Sequence, residues 1–239
     1  MHIPSIPKPG GFTITSSPSS LRHDYIELAV QKSPGNPAAV WLWGEGVVGK
    51  EVSVRVGGGF VWPLGLSSGA GVGGGITSEK EMKRVVFIAG GVGINPLMSM
   101  LSHIVEQLSE RRKKLGFNVV FLYSSKYVGR EEGEVLFLKR LRDAFMVLGE
   151  EGQLKVFLTG REDKRVGGVD EKEGTGENVE FHKRRIGEGD IFTALGPVGE
   201  RGGTVVYVCG VPGMTDEFVE RVKQVEGIME GNVLCERWW

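Results

Sequence analysis

Residues 85–96 read Val-Val-Phe-Ile-Ala-Gly-Gly-Val-Gly-Ile-Asn-Pro, an apolar run that ends in three glycines, Gly90, Gly91 and Gly93, and then a proline, Pro96. A turn without side chains, placed between a strand and a helix, lets backbone N–H groups meet a pyrophosphate at the positive end of the helix dipole. The chemistry on offer is dinucleotide binding. A second stretch, Val205-Val206-Tyr207-Val208-Cys209-Gly210-Val211-Pro212-Gly213-Met214, also runs from an apolar strand into a Gly/Pro turn. It sets a thiol, Cys209, at a strand end on the same edge as Gly90–Gly93. A cysteine in such a run is most often a small buried hydrophobe, but a place at the ligand edge makes it a site candidate.

The common dinucleotide fingerprint is G-x-G-x-x-G. Here Gly91-Val92-Gly93 is followed by Ile94-Asn95-Pro96, so proline stands in place of the last glycine. Taken alone the turn is also consistent with a plain tight connection. The acidic residue that usually receives a ribose 2′-hydroxyl is missing from the next strand end, which reads Tyr123-Ser124-Ser125-Lys126. Hydroxyls and a cation there tolerate or favour a 2′-phosphate, although Lys126 and Arg130 read equally well as a solvated loop. Hydrolase chemistry is not supported, because His2, His23, His103 and His182 lie in unrelated contexts and no G-x-S-x-G elbow occurs. No spacing of His, Cys and carboxylates suits a metal, so no metal site is expected.

The elements that must position these residues follow from periodicity. Val85–Ala89 is short enough for a buried strand. From Pro96 to about Lys114, apolar residues at Leu97, Met98, Leu101, Ile104, Val105 and Leu108 keep helical spacing. Phe117–Tyr123 is expected as a strand, Glu134–Leu148 as a helix with Phe137, Leu138, Leu141, Phe145 and Leu148 inward, and Leu154–Leu158 as a strand. Thr204–Cys209 follows as a strand, Pro212–Val225 as a helix and Val233–Cys235 as a last strand. This alternation predicts an α/β fold: a doubly wound parallel sheet with helices on both faces. Earlier in the chain, Phe12–Ser17, Tyr25–Val30 and Glu51–Val56 read as strands, and Ala38–Trp43 is open between helix and strand. Gly-rich residues 67–82 predict a linker between a first unit, 1–66, and a second, 83–239. Within the second, the polar stretch 167–180 predicts a mobile insertion.

The totals exclude several classes. With a formal net charge of −1 and no basic stripe interleaved with aromatics, nucleic acid is not an expected partner. No apolar run approaches the roughly 20 residues that span a bilayer. Two cysteines, Cys209 and Cys235, are too few for a disulfide scaffold or a structural zinc site, which fits a reducing compartment.

Ile88–Pro96 and Tyr207–Met214 together resemble the two pyridine-nucleotide motifs of the ferredoxin–NADP reductase superfamily. More closely, they are similar to its eukaryotic branch of oxidoreductase NAD-binding domain-containing proteins. The resemblance takes in Gly11-Phe12-Thr13-Ile14-Thr15-Ser16-Ser17-Pro18, Val54-Arg55-Val56-Gly57-Gly58 and the terminal Cys235-Glu236-Arg237-Trp238-Trp239, in order along nearly the whole chain.

It implies a flavin-binding antiparallel β-barrel, partial here, followed by an NAD(P)-binding domain. It also implies hydride transfer between nicotinamide and FAD, with electrons passing to a further acceptor. By residue, Gly90, Gly91, Val92, Gly93, Ile94, Asn95 and Pro96 would hold the pyrophosphate. Tyr123, Ser124 and Lys126 would lie near the adenosine ribose. Cys209, Gly210, Pro212 and Met214 would line the nicotinamide pocket, Cys209 closest to the hydride path as the catalytic candidate. Phe12, Thr13, Ile14, Thr15 and Ser16 would match the flavin motif, with Phe12 packing on the ring and Thr13 bonding to it. Trp238 and Trp239 would cover the flavin.

Two positions depart from the family pattern. Gly10 stands where a flavin-diphosphate arginine belongs, and Gly44–Gly49, where a glycine-x-x-serine phosphate turn would fall, has no hydroxyl. The chain begins just before the flavin motif, so N-terminal truncation is expected. The resemblance implies a mitochondrial address, with the cytoplasm as the alternative. Two rival readings stand beside the reductase: a dinucleotide binder without flavin or catalysis, and an interaction domain that docks through Trp238-Trp239.

Overall fold

The computed structural model describes residues 1–4, 6–62, 76, 81–111, 114–126, 135–160 and 179–237. Its centre is a six-stranded sheet in the order β4-β3-β2-β1-β5-β6. The strands are β1 Arg84–Gly90, β2 Asn118–Lys126, β3 Gly152–Thr159, β4 Val179–His182, β5 Thr204–Cys209 and β6 Val233–Glu236. Every neighbouring pair is parallel. Helices α2, Ile94–Arg111, and α3, Leu138–Leu148, cover one face, and α4, Glu188–Leu195, and α5, Pro212–Lys223, cover the other. A first helix, α1, Pro37–Leu42, lies in the N-terminal segment. The doubly wound parallel sheet expected from the sequence is present.

The central strands are apolar throughout because both faces are covered. Alternate residues divide between two cores: Val85, Phe87 and Ala89 point to the α2/α3 side, and Val86 and Ile88 to the α4/α5 side. All five are completely buried. The α2/α3 core also takes Phe60 and Trp62 from the N-terminal segment. Trp62 packs on Phe87, Phe117 and Tyr207 with ring centroids about 6 Å apart. The Tyr207 hydroxyl donates to the Val61 carbonyl at 3.1 Å, so this segment is fastened to the sheet by both packing and a hydrogen bond.

Several boundaries differ from expectation. Helix α2 begins at Ile94, which makes Pro96 its third residue, still in the turn where a missing N–H breaks no helical bond. Helix α3 begins at Leu138, not Glu134, because Phe137 takes a left-handed conformation with φ 61°. Phe137 is therefore only half-buried, with the Arg140 guanidinium 5.1 Å over its ring. Strand β2 runs on through Lys126, since β3 pairs with it as far as Thr159. Strand β4 and helix α4 were not anticipated. The alternating Val-Glu-Phe-His of β4 lies at a sheet edge and takes up residues 179 and 180 of the expected insertion.

In the N-terminal segment the three expected strands appear only as two isolated antiparallel bridges, Ile14 to Leu28 and His2 to Ser53. Among the described residues no strand runs beside Glu51–Val56, and Val54 and Val56 are exposed. The open stretch 38–43 resolves as helix α1, begun by Asn36, whose side chain accepts from the N–H groups of Ala38 and Ala39. The expected linker lies outside the described residues except for Ile76, Glu81 and Met82. Ile76 and Met82 are buried, and the Ile76 N–H donates to Asn232 Oδ1 at 2.7 Å. Of the expected insertion, 167–178 also lie outside them.

Candidate functional site

The chain leaves β1 for β2 on one side and later returns to β5 on the other, so the winding reverses between β1 and β5. In open parallel sheets ligands bind in the crevice beyond the carboxyl ends at such a reversal. The two Gly-rich turns flank that crevice, with Ala89 in register with Cys209. Gly91 has φ +54° and open space where a Cβ would stand, so its backbone is bare toward solvent. A Cβ on Gly93 would collide with the Cys209 carbonyl oxygen. Gly93 is therefore glycine because the turn presses against the end of β5, and Gly91 because its backbone is left-handed. Together they leave a cradle at the start of an 18-residue helix, the geometry an anionic pyrophosphate requires.

A second close approach lies beside the first. A Cβ on Gly210 would stand 3.3 Å from the Gly90 Cα, and one on Gly90 would stand 2.5 Å from the Met214 sulfur. The Met214 thioether thus fills the notch between the two strand ends. Exposed around it are Val92, Val211, Pro212 and Gly213. Ile94, Asn95 and Pro96 turn inward, and Ile94 is fully buried in the core. What these three offer a ligand is backbone, not side chain.

Two predicted site residues lie deeper than expected. Cys209 is completely buried on the α2/α3 side beneath the turn, so its carbonyl, not its thiol, forms the floor under Gly93. The Tyr123 ring is also in that core, and burial pushes its hydroxyl pKa up to about 12. Placement in the core keeps Tyr123 from reaching out as a ribose contact. Ser124, half-buried, and Lys126, exposed, do reach the edge at the end of β2, and no carboxylate lies among residues 123–126. Trp238 and Trp239 lie outside the described residues.

One group at the edge was quoted from sequence without a role. Glu236 ends β6 in register with Cys209 and is half-buried, and its Oε2 has no hydrogen-bond partner. Burial raises its pKa above the usual carboxylate range. The next residue, Arg237, donates from both Nε and Nη2 to Asp216 Oδ1 at 2.9 Å, which fixes the end of β6 to α5. Only the position of a lone carboxylate at a strand end signalled Glu236 in the sequence.

The motif Phe12–Ser16 is held against helices α2 and α3 by side chains. Asn95, in the first turn of α2, donates from Nδ2 to the Ala29 carbonyl at 2.9 Å. Ser99 donates to the Ser16 carbonyl at 2.6 Å, and Ser17 and Ser19 donate to Glu106 at 2.7 and 2.6 Å. Arg140 pairs with Glu27 at 2.7 Å and donates to Ser102 at 3.0 Å and the Thr15 carbonyl at 3.4 Å. Within the motif, Phe12, Thr13 and Ile14 are half-buried, and Thr15 and Ser16 are buried. The hydroxyls of Thr13 and Thr15 are both buried without a partner. None of these tethers was visible in the sequence, because every bond that reaches the segment 15–29 joins residues at least 66 positions apart.

Against this geometry, residues 87–220 match the sequence model of the oxidoreductase NAD-binding domain family. The chain is 31% identical over 242 residues to oxidoreductase NAD-binding domain-containing protein 1 of Homo sapiens, across 99% of this chain and 68% of that protein. It is 29% identical to the Danio rerio protein of the same name, across 99% of this chain and 78% of the relative. Among solved structures it is similar to the flavohem-like FAD/NAD-binding domain of nitric oxide dioxygenase from Vibrio cholerae O1 biovar El Tor. There the TM-score is 0.42 and the identity 18%, over 70% of this chain and 54% of that one.

Proposed function

The chain belongs to the oxidoreductase NAD-binding domain family, and from that premise we propose that it binds NAD(P)H across the β1/β5 crevice and passes a hydride from the nicotinamide to a flavin ring. The observation that carries this reading is the turn Gly91–Gly93. One glycine is bare to solvent, the other is packed on the Cys209 carbonyl, and both stand at the start of α2 where the sheet reverses. Gly90, Gly91, Val92 and Gly93, with the backbone of Ile94 and Asn95, hold the pyrophosphate, and Pro96, which has no N–H, opens the helix behind them. The adenosine end lies toward Ser124 and Lys126, where hydroxyls and a cation admit either NADH or NADPH. Gly210, Pro212 and Met214 border the nicotinamide, and Cys209 supports it from below. Residues 83–239 form the nucleotide unit, and 1–66 the flavin side, with Phe12 and Thr13 facing the ring.

The flavin half fits its ligand less evenly. Two orphaned hydroxyls in the Phe12–Ser16 motif suit a ring with acceptor atoms. At the other end, the buried Gly10 has no room for a cationic side chain, since a Cβ there would stand 2.6 Å from both Ala38 and Phe12. That crowding favours a second reading, a dinucleotide binder without resident flavin. Titration calorimetry with NADH and NADPH tests the nucleotide reading: saturable heat supports it, and none from the folded chain rejects it. The visible spectrum of the purified protein then separates a resident flavin from none.

A further inference from the structure

Resting on that nucleotide reading, we propose that Asn95 is a positioning residue that couples the dinucleotide to the N-terminal segment. Ligand held by its backbone tightens the docking of residues 12–30 through its side chain. Asn95 is the second residue of α2, two positions beyond Gly93. It is only 6% exposed, and its Nδ2 crosses 66 positions of sequence to donate to the Ala29 carbonyl at 2.9 Å. One residue therefore meets both partners. Fixing the turn on a pyrophosphate fixes the Cα from which that amide hangs.

The docking is polar along its length. Asn95, Ser99, Ser102 and Glu106 recur every three or four residues, so they form one stripe of α2, opposite Leu97, Leu101 and Ile104, which enter the core. Ser99 donates to the Ser16 carbonyl, and Glu106 accepts from Ser17 and Ser19. Ser102 accepts from Arg140, which also reaches Glu27 and Thr15. Among the described residues, neither core receives an apolar side chain from 12–30.

Such docking is close to balanced. On the tethered residues Asn95 and Thr15, the Oδ1 and Oγ1 atoms are buried without a hydrogen-bond partner. A stranded polar group costs about as much as a made hydrogen bond gains, so these tethers leave the segment releasable. The far end is anchored differently, because Phe60 and Trp62 pack into the α2/α3 core. Loosening is thus expected at 12–30 and not at 60–62. Coupling is reciprocal: a docked segment that holds Asn95 in its binding geometry is in turn held by bound NADH.

The test is amide exchange on the full chain with and without saturating NADH, with calorimetry to establish binding to each protein. In the native chain NADH is expected to slow exchange at residues 15–29 by about fivefold or more. Ser99→Ala cuts a tether beyond the turn, so it should speed exchange there and keep the slowing by NADH. Asn95→Ala should bind NADH about fivefold more weakly and lose the slowing. Asn95→Leu, which drops the amide and retains bulk, should do the same and serves where the alanine variant does not fold. NADH that binds the native chain without slowing exchange at 15–29 would overturn the proposal. Slowing of equal size in Ser99→Ala and the Asn95 variant would overturn it too, and both results leave the nucleotide reading intact. Absence of NADH heat with the folded native chain overturns that reading itself.

Discussion

At the scale of single residues, the two glycines of the first turn make opposite predictions. Gly91→Leu places a side chain in open space at a left-handed position, with a strain of ~1–2 kcal/mol. The fold is expected to survive while NADH affinity falls by more than about tenfold in calorimetry. Gly93→Ala drives a methyl into the Cys209 carbonyl, so the loss is expected in stability, ~1–3 kcal/mol by denaturant unfolding. Glu236 gives a pH-dependent test. Its folded pKa is raised by burial, so its charge costs stability, and that cost is absent at acid pH and sets in as pH rises through the folded pKa. Glu236→Gln is expected to raise the melting temperature by ~2 °C at pH 7.5 and to leave it unchanged near pH 4.

At the scale of elements, the parts that local pattern determines were legible. β1, β5 and α2 are long apolar or amphipathic runs bounded by Gly and Pro, and the structure places them within a few residues of expectation. Short edge pieces were not. β4 has four residues and a mixed polar pattern, and pairing with β3, not its own composition, makes it a strand. The N-terminal strands failed for the converse reason: alternation at Glu51–Val56 supplies a pattern, but a ladder needs a neighbour, and only Ser53 finds one. At the site, the glycines could be read from sequence, whereas the depth of Cys209 and Tyr123 depends on the packing of α2 and α3. Asn232 shows what local reading misses. Completely buried before β6, it accepts from the Ile76 N–H and donates to the carbonyls of Thr204 and Gly202 at 3.1 and 3.3 Å. Asn232→Ala strands all three groups and is expected to cost ~2–4 kcal/mol, read as a lower denaturant midpoint with a similar slope.

At the scale of the whole molecule, the N-terminal segment is joined to the nucleotide half by side-chain tethers and an aromatic cluster in place of a shared sheet. Arg140 is the tether with the most partners: Glu27, Thr15 and Ser102. Arg140→Ala is expected to speed amide exchange at residues 15–27 by about tenfold or more while exchange in β1 and β5 is unchanged. Equal protection in both proteins would mean that packing alone holds the segment. The proposed activity depends most on the β1/β5 crevice being the dinucleotide site. The direct measurement is calorimetric titration of NADH and NADPH into the native chain and Gly91→Leu, with thermal melts of both in parallel. Saturable binding to the native chain that disappears in a still-folded Gly91→Leu is the predicted result. No binding to the folded native chain, or equal binding to both proteins, would contradict it.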